Sequence, residues 1–305
     1  MKLFLKAIRA PFLTATLVPI LLGGIEAARN GFFDSTLFLL ALVAGLLFHA
    51  SANVLNDYFD YYGGTDNINK YYNPFSGGSR LIQDGIYTPK RTLALGLSLL
   101  AIGIVIGLYL VFREGLPLIV FGLFGIFLIF TYSVKRFGLS YFGRGLGELT
   151  VGIAFGPLMV LGTYYLLAGG LALSALWLSL PVAILIALVL LANGYPDFEA
   201  DRQTNKHTIV VSFGRERTRY IYAILLLMVY VLIVAGVAFY IIPGFTLVAL
   251  LTLPMAAIAV KKLFATHLDP RGVVAVCGMT VGLHLITGLL LSAGALLAMV
   301  FSNNV

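Results

Sequence analysis

Apolar runs of membrane-spanning length alternate along this chain with short polar stretches. Nine can be drawn, approximately 11–29, 35–56, 92–112, 116–134, 147–167, 172–194, 219–240, 244–264 and 274–300. Each is near the ~20 residues that carry a helix across ~30 Å of hydrocarbon. The pattern predicts an all-α integral membrane protein of nine transmembrane helices, folded as a single domain over residues 1–305. Two polar stretches are longer and richer than the rest, at about 57–91 and 194–218, and both follow an apolar run directly.

Composition agrees with that reading, since 60% of residues are hydrophobic and only 11% charged, far from the values of a soluble domain. A formal net charge of +7 raises nucleic acid as a partner. The distribution of the bases argues against it. Of the 20 Lys and Arg, all but Arg29 and Arg113 fall in alternate loops on one side of the predicted spans. A positive-inside bias of this size puts the N-terminus and both long polar stretches in the cytoplasm and the C-terminus outside, and gives the bases a bilayer as their partner. No small-residue cleavage site follows the first run, which is read as retained. The lone cysteine, Cys277, leaves no intramolecular disulfide and no cysteine metal site. Its expected role is packing, and the four histidines lack metal-ligand spacing.

The two polar stretches hold eight of the 13 carboxylates: Asp57, Asp60, Asp66, Asp84, Asp197, Glu199, Asp201 and Glu216. Residues four apart share a helix face. Asn56 and Asp60 satisfy that spacing, as do Asn193, Asp197 and Asp201. Each set aims an amide and carboxylates one way from the end of an apolar helix. Carboxylates stacked beside hydrocarbon repel one another unless a cation neutralises them. Oxygen ligands without His or Cys suit a hard ion such as Mg²⁺, which bridges one or two carboxylates to substrate phosphate. Arg80, Lys135, Arg136, Arg202 and Lys206 lie in the same stretches or just after the fourth run, as candidate phosphate contacts. Two acidic clusters with a basic collar describe a diphosphate site. Tyrosines 58, 61, 62, 71, 72 and 132 are candidates to face a carbocation, or to anchor at the interface.

With those residues in view, the chain resembles the UbiA superfamily of intramembrane prenyltransferases over essentially its whole length. The family's N-D-x-x-D motif with a further aspartate is matched by "NDYFDYYGGTD", and its N-x-x-x-D-x-x-x-D motif by "NGYPDFEAD". The resemblance implies nine helices around a central cavity. It also implies that Asn56, Asp60, Asp66, Asn193, Asp197 and Asp201 bind Mg²⁺ and the diphosphate of an isoprenoid donor such as geranylgeranyl diphosphate. "RAPFLTATLVPILLG" and "GRGLGELTVGIAFGPLMVLGTYYL" look like the branch that prenylates 1,4-dihydroxy-2-naphthoate for menaquinone. The five-residue gap between Asp60 and Asp66 fits the same branch. One departure stands out: that branch usually reads N-N-x-R-D where this chain has Asn193-Gly194-Tyr195-Pro196-Asp197.

The mechanism expected from these residues is ionisation of the allylic C–O bond, with Arg80, Lys135 and Lys206 meeting charge on the leaving diphosphate. An apolar cavity would keep the allylic cation dry until an electron-rich ring attacks it. Asp66 and Asp84 are candidates to deprotonate the acceptor. Gly152, Gly156 and Gly162 either let helices approach closely or leave room for the isoprenoid tail. Two rivals are weighed: transfer to a glycerol phosphate acceptor in archaeal-type ether lipid synthesis, and a cation-coupled transporter, which predicts acidic residues near mid-span. Nothing in the sequence fixes an oligomeric state.

Overall fold

The computed structural model describes residues 1–135 and 138–302 and, among them, forms an all-helical bundle with no strand. Eight helices are long and apolar enough to cross a membrane: α1 (Ala10–Arg29), α2 (Ser35–Gly63), α3 (Pro89–Glu114), α5 (Leu146–Ala168), α6 (Leu173–Gln203), α7 (Ile209–Ala238), α8 (Gly244–Thr266) and α9 (Val274–Phe301). The ninth run forms a shorter apolar helix, α4 (Leu118–Ser133). Its 16 residues reach about 24 Å, less than the hydrocarbon thickness. An additional short helix, Lys2–Ala7, precedes α1.

Local chemistry sets the helix ends. The Asp34 carboxylate accepts the backbone N–H groups of Thr36 and Leu37 at the start of α2, and the Thr88 and Thr208 hydroxyls cap α3 and α7 in the same manner. Pro89 follows the first of these caps at a position where its missing N–H costs nothing. Charge, by contrast, does not end helices here. α2 and α6 run on for two turns or more beyond their apolar stretches, so that both acidic motifs are helical. α7 begins at Ile209, ten residues ahead of its apolar run, and breaks at Gly214.

Proline inside α6 leaves a mark on its packing. Pro196 has no N–H for the carbonyl of Ala192 one turn back, and the Cys277 thiol of α9 meets that carbonyl instead at 3.4 Å. In α5, the turn Ala154–Leu158 around Pro157 is widened to π geometry.

The bundle has two unequal halves. α6 packs against α7, α9 and α1, and α8 packs behind it on α7 and α9, through buried side chains such as Leu185, Leu188, Tyr222, Val229 and Leu283. On the opposite side, α1 to α6 wall a cavity of about 360 Å³. Gly152 and Gly156 serve close approach of α5 to α6: a Cβ on Gly156 would lie 2.4 Å from Cβ and 2.8 Å from Cα of Ala183. Gly162 instead lines the cavity, against Phe121. Gly156→Leu is therefore expected to force α5 off α6, at a cost of about 1–3 kcal/mol, read as a lowered melting temperature in detergent. Gly122→Ala, where nothing stands within 4 Å of the added carbon, should leave it unchanged.

Candidate active site

The cavity is apolar along most of its length and polar at one end. Phe48, Phe121, Phe155 and Leu158 line it, while Arg9, Asn56, Ser133, Tyr132 and Asn193 gather at its mouth, where α2 and α6 emerge. Deeper in, His49 stacks edge-on against Phe155 and shares a 2.8 Å hydrogen bond with Thr16.

The extended ends of α2 and α6 carry their motifs to that mouth. Asn56, Asp57 and Asp60 project from α2. The chain then turns at Gly64 into the short helix Thr65–Ile68, which brings Asp66 back beside them. Asn193, Asp197 and Asp201 stand on successive turns of α6. A hydrogen bond between Thr65 and Thr204, 2.9 Å, joins the two segments.

Asp57, Asp60, Asp66, Asn193 and Asp201 are all buried, so each polar atom needs a partner. Asn56 Nδ2 donates to Asp60 Oδ2 at 3.1 Å and to Ser133 Oγ at 3.2 Å. Lys206 Nζ donates to the same Asp60 oxygen at 3.2 Å. Asn69 Nδ2 donates to Asp197 Oδ1 at 2.6 Å. Arg9 donates to Asn56 and pairs with Asp57, whose carboxylate also receives the backbone N–H of Ser79. Asp57 is thereby committed to holding the loop and the N-terminal segment together.

Other oxygens are left over. Asp60 Oδ1, Asp66 Oδ2 and Asn193 Oδ1 are buried without a hydrogen-bond partner among the described residues. Stranding such atoms is costly, and in a native site it marks a ligand that belongs there. The loop "GGSR" comes in close on the same spot. Gly78 has φ 73°, and a Cβ on it would fall 2.3 Å from Asp66 Oδ2, so only glycine fits against that carboxylate.

Burial, and then the charge of Asp60, push the Asp66 carboxyl up to about 8. Burial alone would depress the Lys206 ammonium, but Asp60 and Asp201 outweigh it and hold it well above its ordinary value. These orphaned oxygens fit a hard divalent cation, because oxygen donors alone face the site. Among the described residues no three carboxylates, histidines or cysteines close on a single point.

Comparison with known proteins bears on this arrangement. The family model for the UbiA prenyltransferase family matches residues 16–272. The chain belongs to that family. The prenyltransferase is 27% identical over 286 residues to 1,4-dihydroxy-2-naphthoate octaprenyltransferase of Bacillus subtilis (strain 168), covering 94% of this chain and 89% of the relative. It is 28% identical over 297 residues to 2-carboxy-1,4-naphthoquinone phytyltransferase of Synechocystis, covering 96% and 92%. Its fold resembles that of a UbiA homologue from Archaeoglobus fulgidus bound to GPP and Mg²⁺, with a TM-score of 0.66 at 15% identity over 95% of this chain and 99% of that one.

The prenyltransferase thus brings Asn56, Asp60, Asp66, Asn193, Asp197, Asp201 and Lys206 together at one mouth. Lys135 stands beside them with its ammonium on the carbonyl of Gly63 at 3.2 Å. Arg80 sits across the loop, donating to the backbone carbonyl of Asp66 at 2.7 Å and stacking on Tyr72 at 4.3 Å. Arg202 is exposed to solvent, and Arg136 lies outside the described residues. Sequence reasoning passed over Arg9, Asn69 and Ser133. Arg9 counted there as one more cytoplasmic base, and nothing in its spacing ties it to Asp57, 48 residues away.

A carboxyl whose folded pKa is raised favours the fold while protonated. That contribution is complete below about pH 4 and is lost as pH rises through about 8. In chelator, Asp66→Asn is therefore expected to melt higher than the wild type at pH 8.5. It should also lose the stabilisation that Mg²⁺ gives the wild type. Intrinsic fluorescence melts in detergent check both effects.

Proposed function

We propose that this prenyltransferase moves a polyprenyl group from an isoprenoid diphosphate to 1,4-dihydroxy-2-naphthoate, in a Mg²⁺-dependent reaction on the cytoplasmic face of the membrane. The observation that carries the donor half is the set of orphaned oxygens on Asp60, Asp66 and Asn193 at the mouth of an apolar cavity. The acceptor half is supported by the two naphthoate-named relatives, each of which matches more than nine-tenths of the chain.

Asn56, Asp60, Asp66, Asn193, Asp197 and Asp201 would hold the cation. Bound there, it would supply Lewis-acid neutralisation of charge on the leaving diphosphate. Lys206 and Lys135 add donors to diphosphate oxygens, with Arg80 on the loop beside them. The allylic C–O bond breaks with its electron pair on the diphosphate. A ring carbon of the acceptor then supplies the pair for the new C–C bond, and aromaticity returns with loss of carbon dioxide or of a proton. Phe48, Phe121 and Phe155 keep water from the tail and from the allylic cation. The Tyr132 ring at the mouth is placed to stabilise that cation.

The test uses purified protein in lipid with geranylgeranyl diphosphate and Mg²⁺, offered 1,4-dihydroxy-2-naphthoate, 4-hydroxybenzoate and a glycerol phosphate in parallel, with products identified by mass spectrometry. Mg²⁺-dependent formation of the prenylated naphthoquinol is expected. Asp60→Asn or Asp197→Asn should lower turnover by at least 100-fold, about 2.7 kcal/mol of barrier, in a protein that still folds. Transfer only to the glycerol phosphate would overturn the acceptor, and full activity of either variant would overturn the cation site.

A further inference from the structure

Lys206 is the buried ammonium that faces Asp60, yet it does not stand on a helix. α6 ends at Gln203 and α7 begins at Ile209, and Lys206 lies in the turn between them, just after Asn205 in left-handed geometry with φ 61°. Its side chain points only as steadily as that turn is held. On the α6 side the active-site segments hold it: the Lys206 N–H donates to the carbonyl of Asp201 at 2.8 Å, and Thr204 bonds Thr65.

On the α7 side the partners come from elsewhere. The His207 N–H donates to the carbonyl of Ser140 at 3.0 Å, and the Ile209 N–H donates to Glu148 Oε1 at 2.8 Å. Ser140 belongs to the short helix Leu139–Phe142 and Glu148 to the first turn of α5, so both anchors lie between α4 and the body of α5. Glycines bring the two stretches together. A Cβ on Gly143 would lie 2.9 Å from Cβ of His207, and one on Gly145 would lie 3.0 Å from Cγ1 of Ile209. The same anchor reaches the cavity mouth, because the Ser140 hydroxyl donates to the carbonyl of Tyr132 at 2.7 Å.

Glu148 is the unusual member of this set. It is only 2% exposed, and a carboxylate buried in a membrane helix is costly enough to mark a function. Among the described residues no lysine or arginine is salt-bridged to it. Its partner is a backbone donor instead. Ile209 is the first helical residue of α7, where N–H groups have no acceptor within the helix. The Thr208 hydroxyl takes the N–H of Val211, and Glu148 takes that of Ile209 from another helix, 61 residues away in sequence.

We propose that Glu148 is a positioning residue for prenyl transfer: with Ser140 it braces the turn 204–208 against α5, and so aims the Lys206 ammonium at Asp60 and at the diphosphate of the donor. The assignment rests on the diphosphate reading of the cavity mouth and deepens it. Glu148 touches neither donor nor cation and acts through Lys206. The stretch "GRGLGE" (Gly143 to Glu148) thereby gains a task, its glycines admitting the turn and its glutamate holding it.

The test is a double-mutant cycle on the full chain in lipid, read as the Kd of geranylgeranyl thiodiphosphate in Mg²⁺, with melting temperatures measured alongside. Glu148→Ala strands the Ile209 N–H and is expected to raise the Kd about tenfold, whereas Glu148→Gln keeps an oxygen for that N–H and stays within about twofold of the wild type. Ile209→Pro removes the donor instead, at a first helical position that accepts proline and after Thr208 in extended geometry with ψ 168°. It should match Glu148→Ala and serves the cycle equally. In a Lys206→Gln background either change adds less than about twofold, because no ammonium is left to aim. Equal losses in both backgrounds, a loss in Glu148→Gln as large as in Glu148→Ala, or an unchanged Kd beside a lowered melting temperature would each overturn the assignment. A wild-type protein without Mg²⁺-dependent binding of the thiodiphosphate would instead overturn the diphosphate reading on which it rests.

Discussion

Asp57, Asp60, Asp66 and Asp201 are buried together with only two cations, Arg9 and Lys206, salt-bridged to carboxylates of the group among the described residues. An excess of negative charge at the edge of hydrocarbon is a standing cost, because desolvation penalises every ionised carboxyl and each repels the next. The structure lowers that cost in three ways. Arg9 neutralises Asp57, Lys206 bridges toward Asp60, and burial with the charge of Asp60 pushes the Asp66 carboxyl up to about 8. What remains is the set of unpartnered oxygens, which fit a hard divalent cation.

The same constraint organises the fold around the site. The carboxylates must be held in place without help from water, so all but Asp66 stand on helices that outrun the membrane, and Asp66 is returned to them by the short helix Thr65–Ile68. Secondary contacts pin each one: Thr65 to Thr204 across the two motifs, Asn69 to Asp197, and the close approach of Gly78 to Asp66. The well-packed half around α6 supplies a rigid back wall. The cavity half, where the short α4 exposes Val120, Leu123 and Phe127 outward, leaves room within for an apolar tail.

Much of this was legible in the sequence, because the physics involved is local or periodic. Among the described residues hydropathy located the eight helices long enough to cross a membrane and the shorter α4, and i, i+4 spacing put Asn193, Asp197 and Asp201 on one face. Hydropathy misjudged helix ends where a helix leaves the membrane, since Arg215, Arg217 and Arg219 end the apolar run of α7 but not its backbone hydrogen bonding. Pairings across the bundle were not readable at all. Arg9 with Asp57, Cys277 with the carbonyl freed by Pro196, and Asn69 with Asp197 each join segments at least 48 residues apart. Gly152, Gly156 and Gly162 had two open readings, and the structure divides them: the first two close a helix contact and the third lines the cavity.

The account's central claim is that the two acidic motifs share one divalent cation site. It is tested most directly by anomalous diffraction from crystals grown with Mn²⁺ and a non-hydrolysable prenyl thiodiphosphate. A manganese peak in contact with Asp60 or Asp66 on one side and Asn193, Asp197 or Asp201 on the other, bridged by diphosphate oxygens, is the result predicted. Metal found only at exposed carboxylates, with the diphosphate bound elsewhere, would contradict it.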